Sequence, residues 1–427
     1  MSYQNTLSYA READQQDSLK DFRSKFLFPQ HEGKDVIYFT GNSLGLQPKS
    51  TAAHLQQELD DWAKYGVEGH FLAKNPWFSY HELLTASCAR IVGAKPIEVV
   101  CMNQLTVNLH LLMVSFYRPT PQRYKILCEA KAFPSDQYAL ETQVEWHGFR
   151  PQDAIIEISP REGEHVIRTE DVLTAIEANK NELALVMIGG VNYYSGQVFD
   201  MKTITKAAHE AGAYAGWDLA HAAGNIELKL HEWEVDFAAW CSYKYMNAGP
   251  GSVSGVFIHE KHAHSNLPRF AGWWGHDKSV RFKMEKGFHP IPGAEGWQLS
   301  NAPVLSMAAY KASLELFDQA GMEKLIEKSK KLSGYLEFII GEINRSLSGK
   351  DNYPLEIITP RDWKERGAQL SIIAHGFGKE LFNQLVAKGV IPDWREPNVI
   401  RLAPVPMYNS FEDMYQFGAI LSELLKK

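Results

Sequence analysis

The chain has 427 residues, 45% hydrophobic and 22% charged, with a net charge of −7; it can bury a large core and divide into two domains, and with no block of like charge it gives no basis for nucleic-acid binding. The longest apolar stretch, around Leu109 to Phe116, is too short to span a bilayer, and the polar start MSYQNTLSYAREADQQDSLK has no secretory core, so a cytoplasmic protein is expected. Cys88, Cys101, Cys128 and Cys241 form no CxxC pair, which removes the zinc-knuckle and redox-dithiol readings; no metal is expected.

The first ~35 residues read as a polar helical arm, with Phe22, Phe26 and Phe28 available to dock it. VIYFTGNSLGLQP follows as a short strand running into a turn. Leu55, Leu59 and Trp62 at helical spacing predict a helix over 51–65, with Gly66 just past its end. A loop holds His70 and Trp77, and a helix is expected over 81–92. A strand over 98–102 ends at Asn103-Gln104-Leu105-Thr106, before a buried helix over 107–117; a polar turn between strand and helix presents free N–H groups to an anion. The strand over 123–128 leads into EAKAFPSD, and the apolar run 183–188 is a strand covered on both faces. A helix over 201–211 is stopped by Gly212. Two further strands, AYAGW and FAAWCS, lead to Asp218 and Lys244. From Pro303 to Leu347 the pattern is helical, and short strands near 355–358, 370–374 and 399–402 alternate with helices over 379–388 and 410–425.

Strands alternating with helices over ~45–300 indicate an α/β domain with a mostly parallel sheet, followed by a smaller α+β domain. Sites in such sheets lie beyond the carboxyl ends of the strands. Thr106, the Phe133–Asp136 turn, the Gly189–Ser195 segment, Asp218 and Lys244 all fall just after predicted strands, which argues for one shared site. A lysine after an apolar strand, with the glycine-rich turn Asn247–Gly251 behind it, can act as a nucleophile toward a carbonyl. Asp218 can be a helix N-cap or a functional acid, and His221 can be a core histidine. Together D-x-x-H and S-x-K are far more specific than any one member. An acid that holds a ring nitrogen protonated and a lysine that condenses with an aldehyde are the two protein groups pyridoxal phosphate needs.

The pattern resembles the fold-type-I pyridoxal-phosphate enzymes, in the subgroup with cysteine desulfurases. TGNSLGLQP, QLTVNLHLLM, FPSDQYA, GWDLAHAAGN, CSYKYMNAGPG, AGWWGH and RLAPVPMYNS, in that order from ~38 to ~411, resemble the kynureninase family more closely. The resemblance implies an aspartate-aminotransferase-like fold: an N-terminal arm over 1–45 that joins the small domain, a large cofactor-binding domain over 46–302 and a small C-terminal α+β domain over 303–427. It implies pyridoxal 5′-phosphate as cofactor and a homodimer with shared active sites. Lys244 would hold the cofactor and shuttle a proton, and Asp218 would pair with the ring nitrogen. Phe133 would stack on the ring in the Phe133-Pro134-Ser135-Asp136 turn, with Asp136 and His221 helping to fix it. Leu105, Thr106 and Tyr243 would serve the phosphate, Tyr243 also as a candidate general acid. Trp273 and Asn301 would reach in from the partner subunit. Ser43, His70, Ser300 and Asn301 are expected at the substrate, and Arg401 at its carboxylate.

Simpler readings remain open. Arg401 can pair with a structural carboxylate, Trp273 can be a core or interface aromatic, and Ser43 and Ser300 can be turn or cap residues. Gly189 stands where the family pattern often has Ser, which removes a hydroxyl. The implied reaction is hydrolysis of L-kynurenine or 3-hydroxy-L-kynurenine to an anthranilate and L-alanine, in tryptophan catabolism or NAD biosynthesis. Two alternatives are a cysteine desulfurase-like lyase or transferase, which needs a mobile cysteine, and a non-catalytic cofactor-binding regulatory protein. His70 and Asn301 offer contacts to a 3-hydroxyl, so 3-hydroxykynurenine is expected to be at least as good a substrate as kynurenine.

Overall fold

A computed structural model describes residues 3–347 and 354–426; positions 1, 2, 348–353 and 427 of the expected domain spans lie outside them. Its centre is a seven-stranded sheet of β1 (Val99–Cys101), β2 (Lys125–Glu129), β3 (Ile155–Ile158), β4 (Leu183–Gly189), β5 (Tyr214–Asp218), β6 (Phe237–Trp240) and β7 (Gly255–Ile258), in the spatial order β1-β7-β6-β5-β4-β2-β3. Strands β6, β5, β4, β2 and β3 run parallel, and β7 runs antiparallel to both β6 and β1. The two-residue alternation of a strand splits the core in two. Leu185, Met187, Phe237 and Ala239 face one layer, with Leu109, Leu112 and Phe116 of α4. Val186, Ile188, Ala238 and Trp240 face the other. The layers use helices α2 (Thr51–Tyr65), α3 (Glu82–Val92), α4 (Leu105–Phe116), α5 (Pro134–Trp146), α6 (Thr169–Asn179) and α7 (Met201–Glu210).

Helices α8 (Val304–Ala320) and α9 (Met322–Leu347) lead to a second sheet of β8 (Leu355–Ile357), β9 (Leu370–Ala374), β10 (Asp393–Arg395) and β11 (Val399–Leu402), antiparallel throughout in the order β8-β9-β11-β10. Helices α10 (Gly378–Ala387) and α11 (Phe411–Leu424) complete this unit. The N-terminal helix α1 (Leu7–Gln16) docks on it: Asp14 accepts from the backbone N–H groups of Phe411 and Glu412 at 2.7 and 3.0 Å, capping α11.

Two sequence expectations change. Helix α8, expected to open the small domain, packs on α2 and α3, and its Met307, Tyr310, Leu314 and Phe317 belong to the large core. Gly321, at φ 77°, ends α8 and turns the chain; in α9, Leu332, Tyr335, Leu336, Ile339, Ile340 and Ile343 belong to the second core. Helix α2 has the predicted bounds and Gly66 cap, but only Leu55 of its apolar stripe packs on the core: Leu59 and Trp62 are exposed while Glu58 and Asp61 are buried. Hydrogen bonds reverse the face. Glu58 accepts from Asn75, Trp77 and Tyr80 at 2.8–3.0 Å, and Asp61 accepts from the Lys74 N–H at 3.0 Å.

The amino-terminal edge of the sheet is tied at Asp236, which is 1% exposed. Its carboxylate meets His209 Nε2, His262 Nε2, Lys261 Nζ and the Ala215 N–H, each at 2.8 Å, joining α7, β5, the start of β6 and the turn after β7. Burial alone would raise its pKa; the hydrogen bonds from His209 and His262 and the charge of Lys261 outweigh burial and hold it well below the usual carboxylate range. Asp236→Ala is expected to lower the unfolding free energy by about 3–5 kcal/mol, the cost of breaking a buried ionic cluster, as measured by denaturant titration. A depressed native pKa stabilises at pH above the unfolded value near ~4 and is lost as pH falls through the native one; Asp236→Asn is therefore expected to flatten the acid limb of the stability profile.

Candidate active site

The carboxyl ends of β1, β2, β4, β5 and β6 open onto one cavity of about 340 Å³. Register fixes the floor: Asp218, last in β5, lies opposite Gly189 of β4 and Ala239 of β6. Lys244 follows β6 in a turn held from two sides. Asn247 N–H donates to Lys244 O at 3.0 Å, and Gly45 N–H, from the TGNSLG segment, donates to Tyr243 O at 2.8 Å. The lysine Nζ lies 3.1 Å from His221 Nε2 and 5.9 Å from the centroid of the Phe133 ring. Phe133 caps the start of α5, where Pro134 takes the first helical position. Leu105 and Thr106 are the first two residues of α4, whose free N–H groups lie at the same cavity.

Of the residues expected from sequence, Ser43, Leu105, Thr106, Phe133, Ser135, Asp136, Asp218, His221, Tyr243 and Lys244 line this cavity. The remainder do not. Pro134 stands behind the wall as the helix start. Ser300 and Asn301 are exposed and line a neighbouring cavity of about 250 Å³ that shares Gln104 with the first. In His70, Nδ1 lies 2.9 Å from Val67 O and the ring packs edge-on against Trp77. Trp273 is 43% exposed and donates to Arg281 O at 3.2 Å. Arg401 is fully buried, paired with Asp393 at 2.9 Å and donating to Tyr193 O at 2.7 Å, the structural pairing that its sequence left open. Asn42, Gln104, Glu129, Tyr193 and Arg395 line the cavity and were missed as site residues. Position after a strand end signals Gln104, Glu129 and Tyr193; nothing in the sequence signals Arg395.

Three carboxyls crowd the floor. Burial pushes Glu129 up to about 7, although the Gly189 N–H donates to it at 3.1 Å. Burial and the neighbouring Asp218 raise Asp136, and burial raises Asp218 itself despite the Ala220 N–H at 2.6 Å. His221 is driven the other way: burial first, then Lys244, Arg401 and Arg395, hold it well below its ordinary value, so a neutral ring faces the lysine. Asp136 Oδ1 and His221 Nδ1 are buried without a hydrogen-bond partner among the described residues. Unmatched buried polar atoms, an amine, an aromatic wall and a helix start together suit a flat, polar, anionic group carrying a carbonyl.

Gly45 is the tightest support of this arrangement. A Cβ there would sit 2.5 Å from Lys244 O and 2.8 Å from Asn247 Cα, both backbone. Gly45→Ala is therefore expected to displace the lysine turn and cut turnover by roughly a hundredfold, the effect of an ångström-scale misplacement, with the far-UV circular dichroism spectrum unchanged.

A sequence-family profile described as "Aminotransferase class-V" matches residues 37–354, and one described as "Kynureninase C-terminal domain" matches residues 325–421. The kynureninase of Flavobacterium psychrophilum is 62% identical over 424 residues, covering 99% of each chain, and that of Christiangramia forsetii is 60% identical over the same length and coverage. Among solved structures, the apo cysteine desulfurase of Thermococcus onnurineus NA1 superimposes with a TM-score of 0.73 over 100% of both chains at 17% identity, a likeness of fold alone. These matches bear out the expected fold type. Matched end to end at this identity, the chain belongs to the kynureninase family.

Proposed function

We propose that the chain hydrolyses the Cβ–Cγ bond of L-kynurenine and 3-hydroxy-L-kynurenine, giving anthranilate or 3-hydroxyanthranilate and L-alanine, in tryptophan catabolism or NAD biosynthesis in the cytoplasm. The observation that carries this reading is that Lys244, Asp218 and His221 meet in one cavity of a chain matched by kynureninases over 99% of its length. When bound, pyridoxal phosphate supplies the electron sink that lets the Cβ–Cγ bond break.

The chain's own residues supply the rest. Lys244 would hold the cofactor through its amine and would move a proton at the substrate's α-carbon. Asp218, Asp136 and neutral His221 would hold its ring. Phe133, Pro134 and Ser135 at the start of α5 would pack against it. Leu105 and Thr106 would offer N–H groups to its phosphate, together with Tyr243. Burial raises the Tyr243 phenol well above its ordinary value, so it stays protonated and suits a general acid delivering a proton at Cβ. Ser43 lines the substrate side, and the arginine cluster around Asp393, Arg401 included, takes the carboxylate end.

Exposed apolar residues support a homodimer. Phe71 stacks on Phe78, Phe78 on Phe282, and Phe282 meets Trp273 edge-on, with ring centroids 5.4–5.9 Å apart. Phe71, Phe282 and Trp273 are exposed, as are Trp62 and Leu72 on the adjoining segment. An apolar surface of this kind suits a partner, and a second copy would bring Trp273, His70, Ser300 and Asn301 toward a site they do not reach within one chain. We assign residues 46–302 to the cofactor-binding domain together with α8, and the small domain to the chain beyond it with the N-terminal arm.

A desulfurase reading needs a mobile nucleophilic cysteine. All four cysteines are buried, and burial raises the Cys241 thiol. Among the described residues no helix is long and apolar enough to cross a membrane.

The holoenzyme is expected to release fluorescent anthranilate from kynurenine, with Lys244→Ala lowering the rate by at least ~10³-fold, as for a covalent catalytic group; no release by the unaltered enzyme would refute the reading. The value of kcat/KM for 3-hydroxykynurenine is expected to equal or exceed that for kynurenine, and a strong preference for kynurenine would contradict the roles of His70 and Asn301.

A further inference from the structure

The carboxyl ends of β2 and β4 meet at Glu129, the last residue of β2. Their ladder pairs Ile126 with Leu185 and Leu127 with Val186, and beyond Glu129 the chain turns at Lys131, at φ 55°. Successive residues of a strand bond to opposite neighbours. Gly190 N–H donates to Asp218 O at 2.7 Å, on the β5 side. The Gly189 N–H points the other way and meets a side chain: it donates to the Glu129 carboxyl, at 3.1 Å to Oε1 and 3.3 Å to Oε2. The missing side chain at Gly189 keeps this approach open, since a Cβ built there would stand 3.0 Å from Glu129 Oε1.

Glu129 is 6% exposed and lines the cavity with Asp136, Asp218, His221, Lys244 and Arg395. Among the described residues no cation pairs with it. Burial holds its carboxyl up to about 7 against the N–H groups of its own residue and of Gly189, and the charge of Asp218 adds to the rise. About half of this group therefore keeps its proton at neutral pH, and a protonated carboxyl donates as well as accepts. Gly189 uses its accepting side; the proton is left for a ligand. Strand order says which part of the ligand. The start of α4 follows β1, Lys244 follows β6, Asp218 ends β5, and Glu129 and Gly189 lie beyond them on β2 and β4. In pyridoxal phosphate the aldehyde carbon and the ring nitrogen stand opposite one another, with the phosphate arm on one flank of that axis and the ring hydroxyl on the other. With the aldehyde at Lys244, the nitrogen at Asp218 and the phosphate at α4, the hydroxyl falls on the flank of β4 and β2.

We propose that Glu129 is a further cofactor-binding residue, whose carboxyl donates a hydrogen bond to the oxygen of the ring hydroxyl while its accepting side stays on the Gly189 N–H. The proposal rests on the cofactor and its placement in the function given above. It gives a buried acid without a cation a task on the flank of the ring that faces away from the phosphate, and one it performs only while protonated. It also fixes the turn of the ring about the line from Lys244 to Asp218, because the hydroxyl and the phosphate arm are then held from opposite sides.

The test uses the full-length chain freed of cofactor and its Glu129→Ala and Glu129→Gln variants, each checked for an unchanged melting temperature. Equilibrium dialysis gives the affinity for pyridoxal 5′-phosphate and for 3-deoxypyridoxal 5′-phosphate, which lacks the ring hydroxyl. The two are compared within each variant, so a change in the cavity's charge or a general loosening of the site cancels. Glu129→Ala is expected to weaken pyridoxal phosphate roughly ten- to hundredfold, the loss expected for a hydrogen bond to a charged group, and the analogue by no more than about twofold. Glu129→Gln keeps a donor and the Gly189 bond, and is expected to stay close to the unaltered chain at neutral pH. The Glu129 proton is present below pH ~7 and lost above it, so between pH ~7 and ~9 the unaltered chain is expected to lose roughly tenfold more affinity for pyridoxal phosphate than Glu129→Gln does. An equal loss for both cofactors in Glu129→Ala, no loss for either, or the same pH dependence in the unaltered chain and Glu129→Gln would overturn the proposal. If the unaltered enzyme released no anthranilate, the functional reading would fail, while the cofactor comparison would still decide the role of Glu129.

Discussion

The contact on which the site depends is that between Lys244 Nζ and His221 Nε2, 3.1 Å apart at the carboxyl edge of the central sheet. It works because His221 is kept neutral. The ring is 7% exposed, and Lys244, Arg395 and Arg401 all oppose its protonation. A neutral imidazole can accept from the amine, so the lysine is held in place without an ion pair that would have to be broken before it could react. Around this contact lie three carboxyls, Glu129, Asp136 and Asp218, each shifted upward by burial. A site with that many protonatable acids is set for a ligand that brings positive charge to its floor and negative charge to the helix start at Leu105.

The fold delivers this arrangement through strand order. Five strand ends converge because the sheet is parallel at its middle, and Gly45, having no Cβ, packs directly on the Lys244 backbone. At the opposite edge of the sheet Asp236 ties α7, β5 and β6 with four contacts of 2.8 Å. One edge is tied and the other opens onto the cavity. The second sheet closes the open edge from the side, through Arg395 and the Tyr193–Arg401 link.

Much of this was legible in the sequence because parallel strands announce themselves. The run Leu183–Gly189 is nearly all apolar, and a functional residue after each such run falls on one edge, so Thr106, Phe133, Asp218 and Lys244 could be placed together before any coordinates. Arg395 could not be, because it arrives on a hairpin of the other sheet. The face of α2 was misleading for a related reason. Leu59 and Trp62 have core spacing, but Glu58 and Asp61 are drawn inward by partners in a loop whose conformation no periodicity reveals. Trp273 lies in the AGWWGH motif, yet it, His70, Ser300 and Asn301 stand apart from the lysine cavity within one chain; motif order alone does not say which residues share a cavity.

The most direct measurement is reductive trapping. Enzyme loaded with pyridoxal phosphate, treated with borohydride and digested, should yield one cofactor-modified peptide, and mass spectrometry should place the modification on Lys244. Modification of a different lysine, or none at all in enzyme that cleaves kynurenine, would contradict the assignment of this amine as the group around which the site is built.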